Sequence, residues 1–530
     1  MPARLLPPAP RALPHLLPAL RADLLAADYT VPRIEQLLGP VAARALQRED
    51  PAPARRALAG ATDPCAVLYS LLTLGGHHSE AEVAAALPHL GVDGAAQLGL
   101  LEAARPGGAV RALVDLSPYS ATDDLGEIRW WIASDLSELA TGAPLHPEHV
   151  LGVGGASLTL ARLTPRVGVD SVLDLGCGGG IQALHASRHA RRVVATDVSA
   201  RALAFAAFTA ALNGIEIELR EGSLLEPVAG EDFDLIVSNP PFVITPRTGA
   251  PRPGPRGEAS AEASPAEAET FTYRDGGRDG DTLLAALLRD LPAHLRPGGT
   301  AVMLGNWEIS PEEGWEAHPR IWTAPAREQG LHAWVIQRER TDPAEYAATW
   351  ARDGGVTPRD AAWEPMITRW LEDFASRDVE GIGFGYLMLR RPERPAAGRL
   401  VAEEETGTGS GTLAEHLRAS LDALEQLEAM DDASFLALRP SRAADVVERR
   451  HLTPGEWDPM LIELVQGGGL ARAVPVSTSL AATVGACDGT LSLEQIIAAV
   501  CALTDADPAE VRAEEVPRLR ELVRQGVLQL

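Results

Sequence analysis

The stretch "VLDLGCGGG", Val172 to Gly180, decides how the middle of this chain is interpreted. A short apolar segment is followed by three alternate glycines, and the residues after them, "IQALHASRHAR", have the composition of a helix. Glycines at such a position let the backbone turn sharply and let a ligand approach without interference from Cβ atoms. The sequence therefore predicts a strand, a ligand-binding loop and a helix.

The spacing of these glycines limits which ligand the loop can bind. Asp174, Gly176, Gly178 and Gly180 form the pattern Asp-x-Gly-x-Gly-x-Gly, and Ile181 prevents a match to the dinucleotide fingerprint G-x-G-x-x-G. A carboxylate at Asp174, below the loop, repels a pyrophosphate. It favours a cationic ligand instead.

A second carboxylate stands at the end of the next predicted strand. "VVATD" ends at Asp197, 21 residues after Gly176, where an acidic side chain can bind both hydroxyls of a ribose. An adenosine with a cationic tail that carries no phosphate fits both carboxylates, and S-adenosylmethionine has this chemistry. The plainer alternative is a tight turn with two capping aspartates.

Across residues 165–392 the glycine loop and the predicted strands resemble the class I methyltransferase family. The resemblance implies an α/β, Rossmann-like domain that binds S-adenosyl-L-methionine. After the third strand, relatives often place an Asp that accepts a hydrogen bond from the adenine amino group, and this chain has Ser223 there. The cofactor-binding residues implied by position are Asp174, Gly176, Gly178, Gly180, Asp197, Ser223 and Asn239.

The stretch "SNPPFV", Ser238 to Val243, ends the predicted strand "FDLIV" abruptly, because two prolines cannot donate to a sheet ladder. The Asn239 side-chain oxygen and the Pro240 carbonyl can accept from the two N–H bonds of a planar amide or amine. These two hydrogen bonds would orient the nitrogen lone pair toward a methyl donor. Pro240 and Pro241 stiffen the loop, and Phe242 offers a ring face for stacking. A strand terminator with a buried Phe242 is the alternative.

This motif resembles the N-P-P-[FY] signature of methyltransferases that act on an exocyclic amine of adenine or guanine, or on the glutamine amide of release factors. The resemblance implies that the catalytic residues of an N-methyltransferase are Asn239, Pro240, Pro241 and Phe242. The leading expectation is a base in rRNA or tRNA, because winged-helix-like modules on both sides are typical of recognition devices. The alternatives are a glutamine on a protein partner such as a release factor, and a regulatory protein that binds the cofactor without catalysis.

Seven apolar stretches alternate with helical patterns, which predicts a mainly parallel sheet covered on both faces. They are "SVLDLG", "RVVATD", "IEIELR", "FDLIVS", "TAVMLG", "HAWVIQ" and "GFGYLML". Residues 245–270, rich in Pro, Gly, Ala, Ser and Glu, interrupt this alternation and predict a mobile insertion.

Several residues outside the two motifs are candidate substrate contacts. Arg274, Asp275 and Arg278 lie in a glycine-rich turn, which is equally compatible with a solvated capping turn. The tryptophans of "RWW" (Arg129 to Trp131) and "NWE" (Asn306 to Glu308) could stack on a base, and the alternative is packing in the core.

We expect five regions along the chain. Near the amino terminus, "SEAEVAAALPHL" predicts a helix with Ser79 as its N-cap, and "AVRALVDLSPYS" predicts a strand. This order resembles a winged-helix module, although a helical bundle explains it equally well. The regions are a helical, winged-helix-like recognition domain (1–120), a connecting segment that closes the cofactor site (121–164), the methyltransferase domain (165–395), a flexible linker (396–412) and a second helical, winged-helix-like domain (413–530).

Composition narrows the class of partner. The formal net charge of −26 over 530 residues argues against a protein that binds polyanions over its whole surface, and leaves room for a local basic groove. The four cysteines are scattered, so neither a disulfide framework nor a metal site is expected. No apolar run is long enough to span a membrane, and we expect a cytoplasmic protein.

Overall fold

The computed structural model describes residues 6–102, 108–123, 125–143, 145–246 and 281–530. Most of the segment expected to be a mobile insertion, and Arg274, Asp275 and Arg278, lie outside these residues. None of the described helices is long and apolar enough to cross a membrane. All four cysteines are buried free thiols, as expected.

The amino-terminal region is a group of helices followed by an antiparallel hairpin. Ser79 caps its helix as predicted, because its hydroxyl accepts from the Glu82 amide while the Glu82 carboxylate accepts from the Ser79 amide. The boundary expected at residue 120 falls inside the first strand. The elements are α1 (Leu17–Ala26), α2 (Val31–Leu46), α3 (Ala52–Ala57), α4 (Pro64–Leu72), α5 (Glu80–Ala86), α6 (Gly91–Gln97), β1 (Asp115–Asp123), β2 (Gly126–Ser134) and α7 (Glu138–Thr141).

The central region alternates strands and helices in one eight-stranded sheet. All seven predicted strands are present. Most are nearly continuous apolar runs, as expected of strands buried on both faces, whereas β5 is a short and partly exposed edge strand. Its elements are α8 (Gly155–Leu163), β3 (Val169–Leu175), α9 (Ile181–Ala186), β4 (Ala190–Asp197), α10 (Ala200–Asn213), β5 (Glu218–Glu221), β6 (Phe233–Ser238), α11 (Thr282–Asp290), β7 (Leu295–Ile309), α12 (Ala317–Glu328), β8 (His332–Thr341), α13 (Pro343–Asp353), α14 (Trp363–Ala375), β9 (Gly381–Arg390) and β10 (Leu400–Glu404).

The strand order across this sheet is β10-β8-β9-β7-β6-β3-β4-β5. Every neighbouring pair is parallel except those of β9, which runs antiparallel to both β7 and β8. From β3 the chain first moves outward through β4 and β5, then returns to the other side of β3 with β6. Ligands of open α/β sheets bind at the carboxyl ends of the strands where the order reverses, which places the site between β3 and β6.

The segment 396–412, expected to be a linker, differs from that expectation. Its residues Leu400–Glu404 form β10, which pairs in parallel with β8 and extends the sheet at its edge. The Glu403 carboxylate then accepts from the indole of Trp334 at 2.6 Å and from the guanidinium of Arg472 at 2.7 Å. These buried contacts tie the sheet edge to the carboxyl-terminal region.

The carboxyl-terminal region contains helices and also a three-stranded antiparallel sheet, β12-β13-β14, which the expected helical character did not include. β12 is exposed along most of its length after Val446 and contains the charged run Glu448–Arg450, so its sequence shows no alternating apolar pattern. The elements are α15 (Leu413–Glu428), α16 (Asp432–Leu436), β11 (Ser441–Arg442), β12 (Val446–Leu452), β13 (Pro459–Gln466), β14 (Ala473–Val476), α17 (Thr478–Gly485), α18 (Leu493–Thr504), α19 (Pro508–Arg524) and β15 (Leu528–Gln529).

Candidate functional site

The glycine loop follows β3 directly and has a backbone that favours glycine. Gly176, Gly178 and Gly180 have φ angles of 72°, 52° and 84°, a region that residues with a Cβ atom rarely adopt. A Cβ atom placed on Gly176 or Gly178 would meet nothing within 4 Å, whereas one on Gly180 would lie 3.0 Å from Ala206. The first two glycines therefore border open space, and the third allows α10 to pack closely.

Asp197 ends β4 and fixes the shape of this loop. Its carboxylate accepts from the Gly178 amide and from the Ser199 amide, both at 2.8 Å. Burial raises the pKa of Asp197, and these two hydrogen bonds oppose that rise. A carboxylate has about four acceptor positions, so two remain for the hydroxyls of a ribose.

Asp174 is the next-to-last residue of β3 and is 1% exposed. Its carboxylate accepts from the Ala183 amide of α9 at 2.8 Å. Burial, with a smaller contribution from the charge of Asp197, raises the pKa of Asp174 to about 7. A cation held near both carboxylates stabilises their ionised forms, which fits S-adenosylmethionine and disfavours a pyrophosphate.

Ser223 was expected near the adenine, and its side chain is exposed in a turn after β5. The Ser223 carbonyl accepts from the Glu226 amide, and the neighbouring Gly222 amide donates to the Asp197 carbonyl at 3.0 Å. The turn is therefore attached through the backbone to Asp197, the residue predicted to bind the ribose. A contact between Ser223 and the adenine stays a prediction.

The N-P-P-F motif leaves β6 at the carboxyl edge beside the glycine loop. The hydroxyl of Ser238 donates to the Leu175 carbonyl at 2.8 Å, which ties the end of β6 to the end of β3. The side-chain oxygen of Asn239 is buried and has no hydrogen-bond partner among the described residues. A buried acceptor without a partner is unfavourable by itself, so its presence here fits a group that bonds the substrate.

The three residues after Asn239 are packed to different degrees. Pro240 is buried, and Pro241 is half-buried. Phe242 is half-buried against the apolar cores on both faces of the sheet, so only part of its ring is free to stack on a planar substrate. The prediction that Phe242 offers a stacking face is compatible with this partial exposure and stays a prediction.

No pattern in the sequence indicates the residues that hold the far side of this motif. Val243 and Ile244 are buried against aromatic side chains of α13 and α14. The Ile244 amide donates to the hydroxyl of Tyr346 at 3.0 Å, and the Asn306 amide nitrogen donates to the same hydroxyl at 2.7 Å. Tyr346 follows Ile244 by 102 residues, so no local pattern connects them.

The tryptophans considered as stacking surfaces have structural contacts. Trp307 is fully buried and donates to Gln337 at 3.1 Å. Trp130 stacks on Tyr119 with ring centroids 5.9 Å apart, and the indole of Trp131 donates to the Tyr29 carbonyl at 2.9 Å. Trp307 therefore belongs to the core, and Trp130 and Trp131 are half-buried against it.

The amino-terminal region packs against the donor side of the site. Phe205 and Phe208 of α10 lie in the same apolar core as the amino-terminal helices. Arg201, in the first turn of α10, pairs with the buried Asp135 carboxylate, whose other hydrogen bond comes from the Val150 amide at 2.9 Å. The segment 121–164 thus contacts α10, and its role in closing the cofactor site stays a prediction.

Comparisons with known proteins identify two parts of the chain. Residues 153–249 match the family described as Methyltransferase small domain. Residues 26–113 match a family described as Domain of unknown function (DUF7059). The first match includes the glycine loop, Asp197 and the N-P-P-F motif.

Curated relatives match part of the chain. The chain is 32% identical over 172 residues to ribosomal protein uL3 glutamine methyltransferase of Bradyrhizobium diazoefficiens, which covers 32% of this chain and 50% of that protein. It is 39% identical over 140 residues to release factor glutamine methyltransferase of Xylella fastidiosa, which covers 26% of this chain and 47% of that protein. It is 42% identical over 90 residues to ribosomal RNA small subunit methyltransferase C of Escherichia coli, which covers 17% of this chain and 26% of that protein.

The chain therefore spans half or less of each of these relatives. Among solved structures, ribosomal protein L11 methylase from Lactobacillus delbrueckii subsp. bulgaricus is 20% identical, with a TM-score of 0.24 over 46% of this chain and 81% of that one.

Proposed function

We propose that this chain, which carries a class I methyltransferase domain, is an S-adenosylmethionine-dependent N-methyltransferase that acts on a planar amide or amine nitrogen. The observation that carries the proposal is the buried, unpartnered Asn239 oxygen beside an open glycine loop. A binding protein without catalysis has no need of such an acceptor. The donor supplies a methyl group on a sulfonium, and the residues of the chain bind and orient the two reactants.

The residues on the acceptor side would align the attacking nitrogen. The Asn239 oxygen and the Pro240 carbonyl accept from the two N–H bonds of the substrate, and the nitrogen lone pair then points toward the methyl carbon. The fixed φ of Pro240 and Pro241 limits how far these acceptors can move. The nitrogen can lose its proton after transfer, so the step requires no dedicated general base.

We place a protein glutamine ahead of an RNA base as the acceptor, which reverses the order expected from the sequence. Residues 413–530 contain ten arginines and nineteen acidic residues. Residues 342–380, beside the acceptor side, contain four arginines and nine acidic residues. RNA binding depends on clusters of basic side chains that neutralise phosphates. An acidic surface favours a protein partner, and two of the relatives are named as glutamine methyltransferases.

An RNA base is the second candidate, because the Escherichia coli relative is named as a ribosomal RNA methyltransferase. That match covers 90 residues, 17% of this chain. An amide and an exocyclic amine both present two N–H bonds on a planar nitrogen. Neither the donor-binding residues nor the N-P-P-F motif therefore distinguishes between them.

The test is methyl transfer to a cell extract from donor labelled in its methyl group. We expect label that resists ribonuclease, is released by protease, and is recovered as N5-methylglutamine after enzymatic digestion. Label released by ribonuclease would replace the protein acceptor with RNA. Absence of transfer to either fraction, with donor bound, would contradict an N-methyltransferase. The Asn239→Ala variant serves as the background control.

A further inference from the structure

The connection between β8 and β9 is much longer than the geometry requires. These strands are antiparallel neighbours, which a two-residue turn can join. Residues 342–380 instead contain helices α13 and α14. Because β8 runs in the same direction as β6 and β7, this helical pair stands at the carboxyl edge of the sheet, where Asn239 lies.

Tyr346 of α13 is the polar contact between this helical pair and the N-P-P-F segment. Its side chain is 1% exposed, and its hydroxyl accepts from the Ile244 amide at 3.0 Å and from the Asn306 side chain at 2.7 Å. Its ring is enclosed by four aromatic rings with centroids 5.7–6.0 Å away, those of Trp350, Trp370, Phe374 and Phe384. The position of the hydroxyl is therefore fixed by packing.

The segment that bears Asn239 is held at both of its ends. On one side the Ser238 hydroxyl donates to the Leu175 carbonyl, and on the other the Ile244 amide donates to Tyr346. Between these anchors, Pro240 and Pro241 restrict the backbone. Two fixed ends and a stiff centre leave the Asn239 side chain little freedom of position.

We propose that Tyr346 is a positioning residue for methyl transfer. It holds the Val243–Ile244 segment so that the Asn239 oxygen stays oriented toward the N–H bonds of the substrate. The inference rests on the proposed function. Tyr346 acts through Ile244 and not on the reacting atoms. Without its hydroxyl, the Ile244 amide and the Asn306 side chain lose an acceptor in a place that excludes water, and the segment shifts to find another.

The experiment compares Tyr346→Phe with wild type, using the acceptor identified in the cell extract. We expect donor affinity within about twofold of wild type, and single-turnover transfer at saturating donor and acceptor slower by about tenfold to a hundredfold, since a shift of about 1 Å can cost the larger factor. Hydrogen exchange of the peptide that covers residues 240–246 should accelerate, while peptides from β3 and β4 keep their rates. A merely structural role would accelerate exchange throughout the sheet.

The matched control is Tyr386→Phe on β9, whose ring packs under the Arg338 guanidinium at 5.4 Å and whose hydroxyl bonds to no described residue. It should change neither transfer nor exchange at 240–246. If Tyr346→Phe does not fold, Asn306→Ser removes one donor to the hydroxyl and should slow transfer to a smaller extent. Transfer at the wild-type rate in Tyr346→Phe would overturn the inference, whereas an inactive wild type would overturn the proposed function itself.

Discussion

On the donor side of the site, the glycine loop and Asp197 hydrogen-bond to each other, whereas on the acceptor side the Asn239 oxygen has no partner among the described residues. The donor side lies between residues 172 and 199, within two strands (β3 and β4), the glycine loop and α9. The acceptor side is completed by Tyr346, which comes from a distant insertion. The hydrogen bonds of the donor side are thus formed without a ligand, whereas in the proposed function the unpartnered Asn239 oxygen is the hydrogen-bonding position reserved for the substrate.

The largest effect should follow from removing that reserved position. We expect Asn239→Ala to lower single-turnover transfer by a hundredfold or more, because the attacking nitrogen loses its alignment. Donor affinity, measured by calorimetry, should stay within about twofold of wild type, because we expect the glycine loop and Asp197 to make the main donor contacts and the contact that the resemblance also implies for Asn239 to be minor. Asn239→Gln, which displaces the amide by one methylene, should fail to a similar extent. Near-normal transfer by either variant would remove Asn239 from the acceptor site.

The second effect should be confined to the donor side. Asp197→Ala removes the carboxylate that shapes the loop, and we expect a loss of donor affinity on the order of 2 kcal/mol, about thirtyfold, as for other hydrogen bonds to charged groups. Asp170→Ala is the matched control, because Asp170 lies near the amino end of β3 and pairs with the exposed Arg191. Equal affinities of wild type and Asp197→Ala would exclude Asp197 from the ribose site.

The same contrast explains what could be predicted from the sequence. Asp174, the three glycines and Asp197 lie within 23 positions of one another, and strands buried on both faces give long apolar runs, so the sequence alone predicts the loop and most of the strands. Tyr346 and Asp135 reach the site only through tertiary packing, and no periodicity connects Ile244 with a tyrosine 102 residues later. β10 was missed because five residues, "LVAEE", carry too little apolar pattern to distinguish a strand from a linker.

The third prediction concerns pH and the charge beneath the loop. Since burial raises the pKa of Asp174 to about 7, the free protein carries a mainly neutral Asp174 below pH 7 and a charged one above it. A cationic donor binds the charged form better, so its affinity should rise by up to about tenfold between pH 6 and pH 8. Calorimetry with the neutral demethylated product should show a smaller rise, and Asp174→Asn should flatten the dependence. An affinity for the cationic donor that falls over this range would contradict the assignment.

Ionisation of Asp174 has the opposite consequence for the stability of the free protein. A carboxyl whose folded pKa is raised contributes stability below its unfolded pKa, and that contribution is lost as the pH rises through about 7. Binding of a cationic donor should restore part of this lost stability. The increase in melting temperature on adding donor is therefore expected to be larger at pH 8 than at pH 6.

The smallest effect is expected where the amino-terminal hairpin contacts α9, the helix that follows the glycine loop. The Tyr119 hydroxyl and His185 Nε2 are 2.9 Å apart, and burial lowers the pKa of His185 to about 3, so this hydrogen bond involves a neutral ring near neutral pH. Tyr119→Phe removes one neutral hydrogen bond while the ring stays packed on Trp130, and we expect a loss of about 1 kcal/mol in unfolding free energy. Chemical denaturation measures it.

Donor affinity of Tyr119→Phe should equal that of wild type within the error of calorimetry, because Asp197 and the glycine loop form their hydrogen bonds without Tyr119. This result would place the amino-terminal region outside the donor site, as a support that packs on α9 and α10. A loss of donor affinity as large as that of Asp197→Ala would instead show that the loop takes its shape from the amino-terminal hairpin. The donor side would then depend on distant tertiary contacts just as the acceptor side depends on Tyr346.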